Sequence, residues 1–284
     1  DYSFLDGPSA ISWSTRIKDK ESGSRKSALV KMCRENNAPA CAMTDHGVMG
    51  GAIEFYEEMG AAGIKPIIGC ETYVAPGSRL VKDATIPHYR GFHLILLAEN
   101  DEGYHNLCSL ISEAHVNGFY YKPRIDKEFL AAHSKGLIGM SACLQGEIDV
   151  AALERGRDAA GQVLSEYLDI FGRGNFYLEL MDHGLEDQKQ VNRILLQLAR
   201  ECDVPLVCTN DVHYLRREDA KAQEIMLCIQ TRTTMSDERR MRMEKDEFYF
   251  KSPEEMAQIW ENEAPEGLSN TLAIAERCNV TIGY

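Results

Sequence analysis

Five places along the chain carry residues able to do chemistry. They are Asp45-His46-Gly47, Glu71, Cys143, Asp182-His183-Gly184 and Asp211-Val212-His213, and each sits at or near the end of an apolar run. Imidazoles, carboxylates and a thiol form the donor set that first-row transition metals take. Asp211 and His213, two apart on an extended segment, project to the same side and can reach one cluster. Several anionic ligands around two or three cations suit hydrolysis or transfer at phosphorus, because metals generate hydroxide and neutralise phosphoryl oxygens. Plainer readings stand beside this one. Asp45 reads equally as a helix cap and Asp182-His183-Gly184 as a helix entry. Cys143 reads as a buried hydrophobe and Glu179 as a paired structural carboxylate. His93 opens its apolar run instead of closing it, so geometry alone makes it a core or supporting histidine. His88, His105, His115 and His133 fall in loops or on helices and read as surface residues.

Other chemistries are poorly represented. There is no phosphate-cradling G-x-x-x-x-G-K-[ST] loop, no G-x-G-x-x-G after a strand and no G-x-S-x-G elbow. A Cys143–His pair would make a thiol nucleophile, but the surrounding carboxylates raise a thiol pKa instead of lowering it. The net charge of −13 lacks the footprint of a surface that grips many phosphates. A small, metal-neutralised phosphate site is compatible with it. With 44% hydrophobic and 26% charged residues the composition is that of a soluble globular protein. No apolar run approaches the roughly 20 residues of a membrane span, and no signal peptide opens the chain. Nine scattered cysteines without a C-x-x-C pair argue for a reducing compartment. Cys41, Cys208 and Cys228, inside apolar runs, read as small core residues.

The elements that must position these residues alternate. Apolar runs at 38–43, 65–74, 92–98, 137–143, 175–181 and 204–208 read as strands. Helical patterns near 27–32 and at 52–59, 104–111, 126–133, 149–171, 191–202, 218–230, 253–260 and 268–278 lie before, between or after them. Strand, polar turn and helix recur at least five times, which argues for a parallel sheet with helical crossovers, closed or nearly closed into a barrel. All strand termini then face one rim, and the side chains converge although far apart in sequence. The polar stretch 12–25 reads as a surface loop or insertion, and 118–124 as an aromatic, basic loop. Both ends are abrupt: Asp1 begins mid-element and 279–282 reads as a strand start that stops, so a fragment of a longer protein is expected.

Ordered strings carry a resemblance. Leu5-Asp6-Gly7, Thr44-Asp45-His46-Gly47, 67–74, 93–98, 118–126, 141–147, 209–214 and 246–256 together resemble the polymerase and histidinol phosphatase (PHP) domain at the N-terminus of bacterial C-family replicative polymerases, the DNA polymerase III alpha subunits. The likeness spans nearly the whole chain except 12–25. It implies an α/β fold, a distorted (β/α)7 barrel of the PHP type over 1–267. Residues 268–284 would form a connecting helix and the start of the segment leading to the polymerase palm. The implied metal ligands are Asp6, His46, Glu71, His93, Cys143, Asp211 and His213, holding two to three divalent ions (Zn, Mn, Mg or Fe). Asp45 and His183 take supporting or phosphate-side roles, and metal-bound water is the nucleophile with no separate protein base. For His93 the resemblance overrules the geometric reading.

The function so implied is DNA-directed DNA synthesis by the parent nucleotidyltransferase, with this domain a metal-dependent phosphoesterase and 3′–5′ proofreading exonuclease. The implied partners are a DNA primer 3′ end, the sliding clamp and an exonuclease subunit, in the cytoplasm and away from membranes. One alternative is a non-catalytic structural and docking module for a proofreading subunit. Another is a free-standing phosphatase acting on a small phosphomonoester such as histidinol phosphate, against which the strings 118–126 and 246–256 speak. The family's His-x-His pair falls upstream of Asp6, outside these 284 residues, so weak metal binding and poor catalysis are expected of the chain by itself.

Overall fold

Every residue of Phe92–Ala98 is buried, and its two faces meet different partners. Leu94, Leu96 and Ala98 pack outward against helices, whereas Ile95 and Leu97 point inward with Ile67, Met140 and Val207. Two-residue alternation buried on both faces is the signature of a sheet wrapped by helices. The computed structural model describes residues 16–18 and 25–283. A short antiparallel hairpin, β1 (Arg16–Lys18) and β2 (Arg25–Ser27), flanks the middle of the 12–25 stretch, most of which lies outside the described residues.

The main sheet has seven strands: β3 (Ala40–Met43), β4 (Lys65–Val74), β5 (Phe92–Ala98), β6 (Arg124–Ile125), β7 (Leu137–Met140), β8 (Phe176–Leu180) and β9 (Leu206–Cys208). Their order is β3-β4-β5-β7-β8-β9, with β6 pairing β4. Helices α1 (Ala28–Glu35), α2 (Ala52–Ala61), α3 (Asp101–Val116), α4 (Lys127–Ala132), α5 (Glu147–Arg155), α6 (Arg157–Phe171) and α7 (Glu186–Cys202) are interspersed with the strands, α5 and α6 following one another. Helices α8 (Ala220–Thr231), α9 (Pro253–Trp260) and α10 (Pro265–Arg277) follow them. The outer core joins the sheet to α3 and α5–α7, and a second core joins β3 to α1 and α2. The third fills the inner face, where Ile274 and Ala275 of α10 join Ile67, Leu97 and Val207. The architecture is a distorted, open α/β barrel. Between β3 and β9 no pairing occurs among the described residues, and an apolar cavity of about 690 Å³ lies there beside α10.

Several expectations change. The sheet is not wholly parallel: β5 runs antiparallel to both β4 and β7. The connection from β4 to β5 contains no helix, and a parallel return needs a crossover, usually helical. The expected helix 149–171 is two helices, broken at Gly156, whose φ of 87° no helix admits. Residues 279–282 form no strand. Cys41, Cys208 and Cys228 are buried, as their apolar runs suggest, and all nine cysteines are free.

Candidate metal centre

Direction decides which end of each strand meets the rim. On β4 the inward residues run Ile67, Gly69, Glu71, Tyr73, from the apolar floor to the polar end. On β5 they run the other way: His93, Ile95, Leu97. The register Glu71↔Ile95 and Tyr73↔His93 therefore sets His93 beside Glu71, although His93 begins its strand. The same alternation leaves Glu179 beyond Tyr177 on β8.

Beyond Met43 the chain continues the ladder without being a regular strand. Glu71 N–H donates to the Asp45 carbonyl at 3.0 Å and Gly47 N–H donates to the Glu71 carbonyl at 2.8 Å, which places His46 against Glu71. Gly47 has φ 67°, and a Cβ there would stand 2.7 Å from Pro123 Cγ, so this turn needs glycine. Asp45 is fully buried and does not cap a helix, since α2 starts from Gly51. Cys143 follows β7 through Ala142, a non-glycine residue at φ 65°. That conformation costs on the order of 1–2 kcal/mol. The Ala142 N–H donates to Glu179 Oε2 at 2.9 Å, and Thr209 Oγ1 donates to Glu179 Oε1 at 2.6 Å. Glu179 is thus a paired carboxylate fastening the turn that presents Cys143. Burial raises it to about 7 against the Thr209 hydrogen bond.

Glu71, 3% exposed, lies between two imidazoles. Its Oε2 is 3.2 Å from His46 Nε2, and its Oε1 meets His93 Nδ1. One nitrogen or oxygen from each of His46, Glu71 and His93 falls within 4.8 Å of the others, a spacing that could hold a metal ion. Cys143 Sγ stands 3.6 Å from the same His93 Nδ1. Asp211 Oδ1 and His213 Nε2 are 3.2 Å apart, and the His213 ring centroid is 5.8 Å from that of His46. The rim thus gathers His46, Glu71, His93 and Cys143 in contact, with Asp211 and His213 adjoining. Asp6 lies outside the described residues.

Charge follows the same geometry. Burial pushes Glu71 up, but His46 and His93 pull it below the usual carboxylate value. Asp211 behaves likewise: burial raises it, the neighbouring His213 lowers it, and the net is well below normal. Burial, then Asp211 and Glu71, drive the Cys143 thiol far above its ordinary value. Without a cation this thiol is no nucleophile. Beside a bound cation the thiolate would be favoured and could serve as a ligand, because a cation reverses the local logic. The donor set fits a divalent ion of the zinc or manganese kind: three imidazoles, two carboxylates and a sulfur, with paired oxygens replaceable by metal bonds.

His183 is buried with both ring nitrogens engaged. Gln188 Nε2 approaches Nδ1 at 2.7 Å, Nε2 meets the Asn210 carbonyl at 2.9 Å, and the ring stacks on Phe248 at 4.0 Å. These partners assign the proton to Nε2. The ring therefore steadies the segment leading to Asp211, and burial lowers its pKa so that it stays neutral. Asp182 does not cap α7; its Oδ1 accepts from Gly184 N–H at 2.8 Å. Tyr73, Gln188 and Lys251 are the contributors that motif reading misses. Lys251 Nζ donates to Asn210 Oδ1 at 2.9 Å. Tyr73 sits 5.2 Å from the His93 ring and 6.3 Å from that of His46, and its place two residues beyond Glu71 was the available signal.

Fold and rim together define an α/β-barrel protein with a candidate metal centre. Comparison with known proteins makes this specific: the PHP domain model matches residues 20–183, more than half the chain. The chain belongs to the PHP domain family. It is 44% identical over 281 residues to the DNA polymerase III subunit alpha of Treponema pallidum, covering 99% of this chain and 23% of that protein. The Borreliella burgdorferi subunit is 45% identical over 280 residues, covering 98% of this chain and 23% of the relative. For Thermus aquaticus the figures are 47% over 259 residues, 89% and 21%. The chain thus spans under a quarter of the length of these relatives. Among the described residues no helix is long and apolar enough to cross a membrane.

Proposed function

We propose that the chain is the PHP portion of a replicative polymerase alpha subunit and that its rim is a metal-dependent phosphoesterase acting on a DNA 3′ end. The observation that carries this reading is the cluster His46–Glu71–His93, with Cys143 and the Asp211–His213 pair beside it. Likeness to alpha subunits over nearly the whole chain supplies the polymerase context. Two to three divalent ions held by these residues would supply Lewis acidity at phosphorus and lower the pKa of water. The chain's own part is to orient and to exclude. Glu71 holds the His46 and His93 rings in register, His183 and Lys251 steady the Asp211 turn, and Glu179 fastens the Cys143 turn.

The test is removal of 3′ nucleotides from a mismatched primer by the parent polymerase supplied with manganese or zinc, compared with Asp211→Asn. Nuclease activity lost in that variant is the expected result. A wild type that removes no nucleotide overturns the reading. Burial of Glu71 and His93 favours a second one, in which metal serves only to hold the barrel together. Chelation that melts the protein, without turnover of any phosphoester, would select it.

A further inference from the structure

Against a net charge of −13, one surface beside the rim is basic and aromatic. Residues 76–91 and 118–124 together hold five Lys/Arg and one acidic residue; Arg124 is buried and Arg79 pairs with Glu113 and Asp126, which leaves Lys82, Arg90 and Lys122 at the surface. Three tyrosines meet there at crossed planes: Tyr89 and Tyr121 at 5.3 Å, Tyr89 and Tyr120 at 5.9 Å, Tyr120 and Tyr121 at 4.9 Å. The guanidinium of Arg90 lies 5.6 Å from both the Tyr89 and the Tyr121 rings. The patch reaches the rim through Lys122, whose Nζ is 5.0 Å over the Tyr73 ring, itself against His93 and His46.

Folding alone does not account for this surface. Tyr121 is 58% and Phe119 49% exposed, so neither ring returns much packing. Tyr121 is also held at φ 61°, a costly conformation for a residue with a Cβ. Neither Arg90 nor Lys122 has an acidic partner among the described residues. Yet the loops are not loosely placed. Arg124 donates to four carbonyls, those of Gly118, Tyr89, Arg79 and Val81, and so fixes both halves of the patch to each other.

We infer that Tyr89, Tyr120 and Tyr121, with Arg90 and Lys122, form a platform for single-stranded nucleic acid. Bases stack on the tyrosines and phosphates lie on the two cations. Tyr121 is exposed and Tyr89 and Tyr120 are half-buried, and among the described residues Arg90 donates only to the Tyr89 hydroxyl, at 3.2 Å. Accessible rings interleaved with cations that no carboxylate neutralises are the recurring means of binding single strands without sequence preference. The placement of Lys122 aims a bound strand at the metal cluster. That direction rests on the phosphoesterase reading of the rim, whereas the platform itself does not.

The experiment measures binding without turnover. A fluorescein-labelled oligothymidylate, protected by phosphorothioate at its 3′ end and carrying 5-iodouracil, is titrated with the 284-residue chain and then cross-linked by light. Tyr121→Ala and Arg90→Ala should each weaken binding about tenfold. Tyr121→Phe should keep the affinity, and cross-links should map to Tyr89 or to 119–121. Circular dichroism of each variant shows that a loss is not unfolding. Unchanged affinity in both alanine variants, or cross-links only elsewhere, overturns the platform and leaves the patch as a face for a protein. A rim that hydrolyses no phosphoester removes the phosphoesterase reading and leaves this binding result standing.

Discussion

Arg124→Met is the most informative single change, because it removes one guanidinium and nothing else of similar reach. Arg124 is 2% exposed and has no carboxylate partner among the described residues. Its guanidinium donates to the carbonyls of Tyr89 at 2.7 Å, Val81 at 2.9 Å, Arg79 at 3.0 Å and Gly118 at 3.2 Å, with Tyr120 stacked at 5.3 Å. Burial lowers its pKa, but an arginine stays charged. Hydrogen bonds to a charged group contribute about 1.5–3 kcal/mol each, and burying the cation costs several kcal/mol. The wild-type balance is therefore modestly favourable. Methionine fills similar volume and avoids the cation's cost, but it strands four acceptors. If they stayed buried, each would cost about 1–3 kcal/mol.

Because both loops reach the surface, they release to water before paying that full cost. The expected loss is about 3 kcal/mol by urea denaturation, below the sum of four stranded carbonyls. Hydrogen exchange at 79–91 and 118–124 should accelerate, while β5 and β8 keep their protection. Arg124→Lys should fall between, since an ammonium lacks the planar fork that reaches four acceptors. A methionine variant within about 1 kcal/mol of wild type, with loop protection intact, would refute the reasoning. The loops would then be held by the Arg79–Asp126 pair and by packing.

Glu71→Gln keeps the shape between His46 and His93 but removes the negative charge, and metal affinity should fall by at least ten- to a hundredfold. Metal content after gel filtration against a chelator series reads this, and full retention would take Glu71 out of the centre. Asp126 caps α4 through Phe129 N–H at 3.0 Å and holds Arg79 Nη1 at 2.9 Å. Asp126→Ala should cost about 2 kcal/mol near neutral pH. Burial raises this carboxyl, but hydrogen bonds from the Arg79 and Phe129 amides and from the Arg79 guanidinium bring it below its ordinary value. Its contribution is therefore present above the unfolded carboxyl's pKa of about 3.9 and lost as pH falls through the lower folded value. The gap between wild type and variant in acid denaturation should close over that range; a gap constant with pH would contradict the assignment.

Much of the candidate site was legible because apolar runs ending in polar residues mark strand ends, as at Asp45-His46, Cys143 and Asp211-x-His213, whereas Glu71 lies within β4, three residues before its end. What the pattern does not carry is strand direction. Phe92–Ala98 is apolar enough to be buried whichever way it runs, and two-residue alternation is unchanged by reversal. Direction is decided by the connection: residues 75–91 hold no helix, so β5 returns antiparallel to β4. Reversal exchanges the two ends of the strand. Leu97, near its carboxyl end, joins the apolar floor with Ile67 and Val207, while His93 rises to Glu71. Had β5 run parallel, the floor would have held an imidazole and the rim a leucine, and the cluster would have lost the nitrogen that also meets Cys143. The absent helix between β4 and β5 thus shapes the candidate centre: it turns one strand over, and with it the residue that joins the carboxylate side of the cluster to the thiol side.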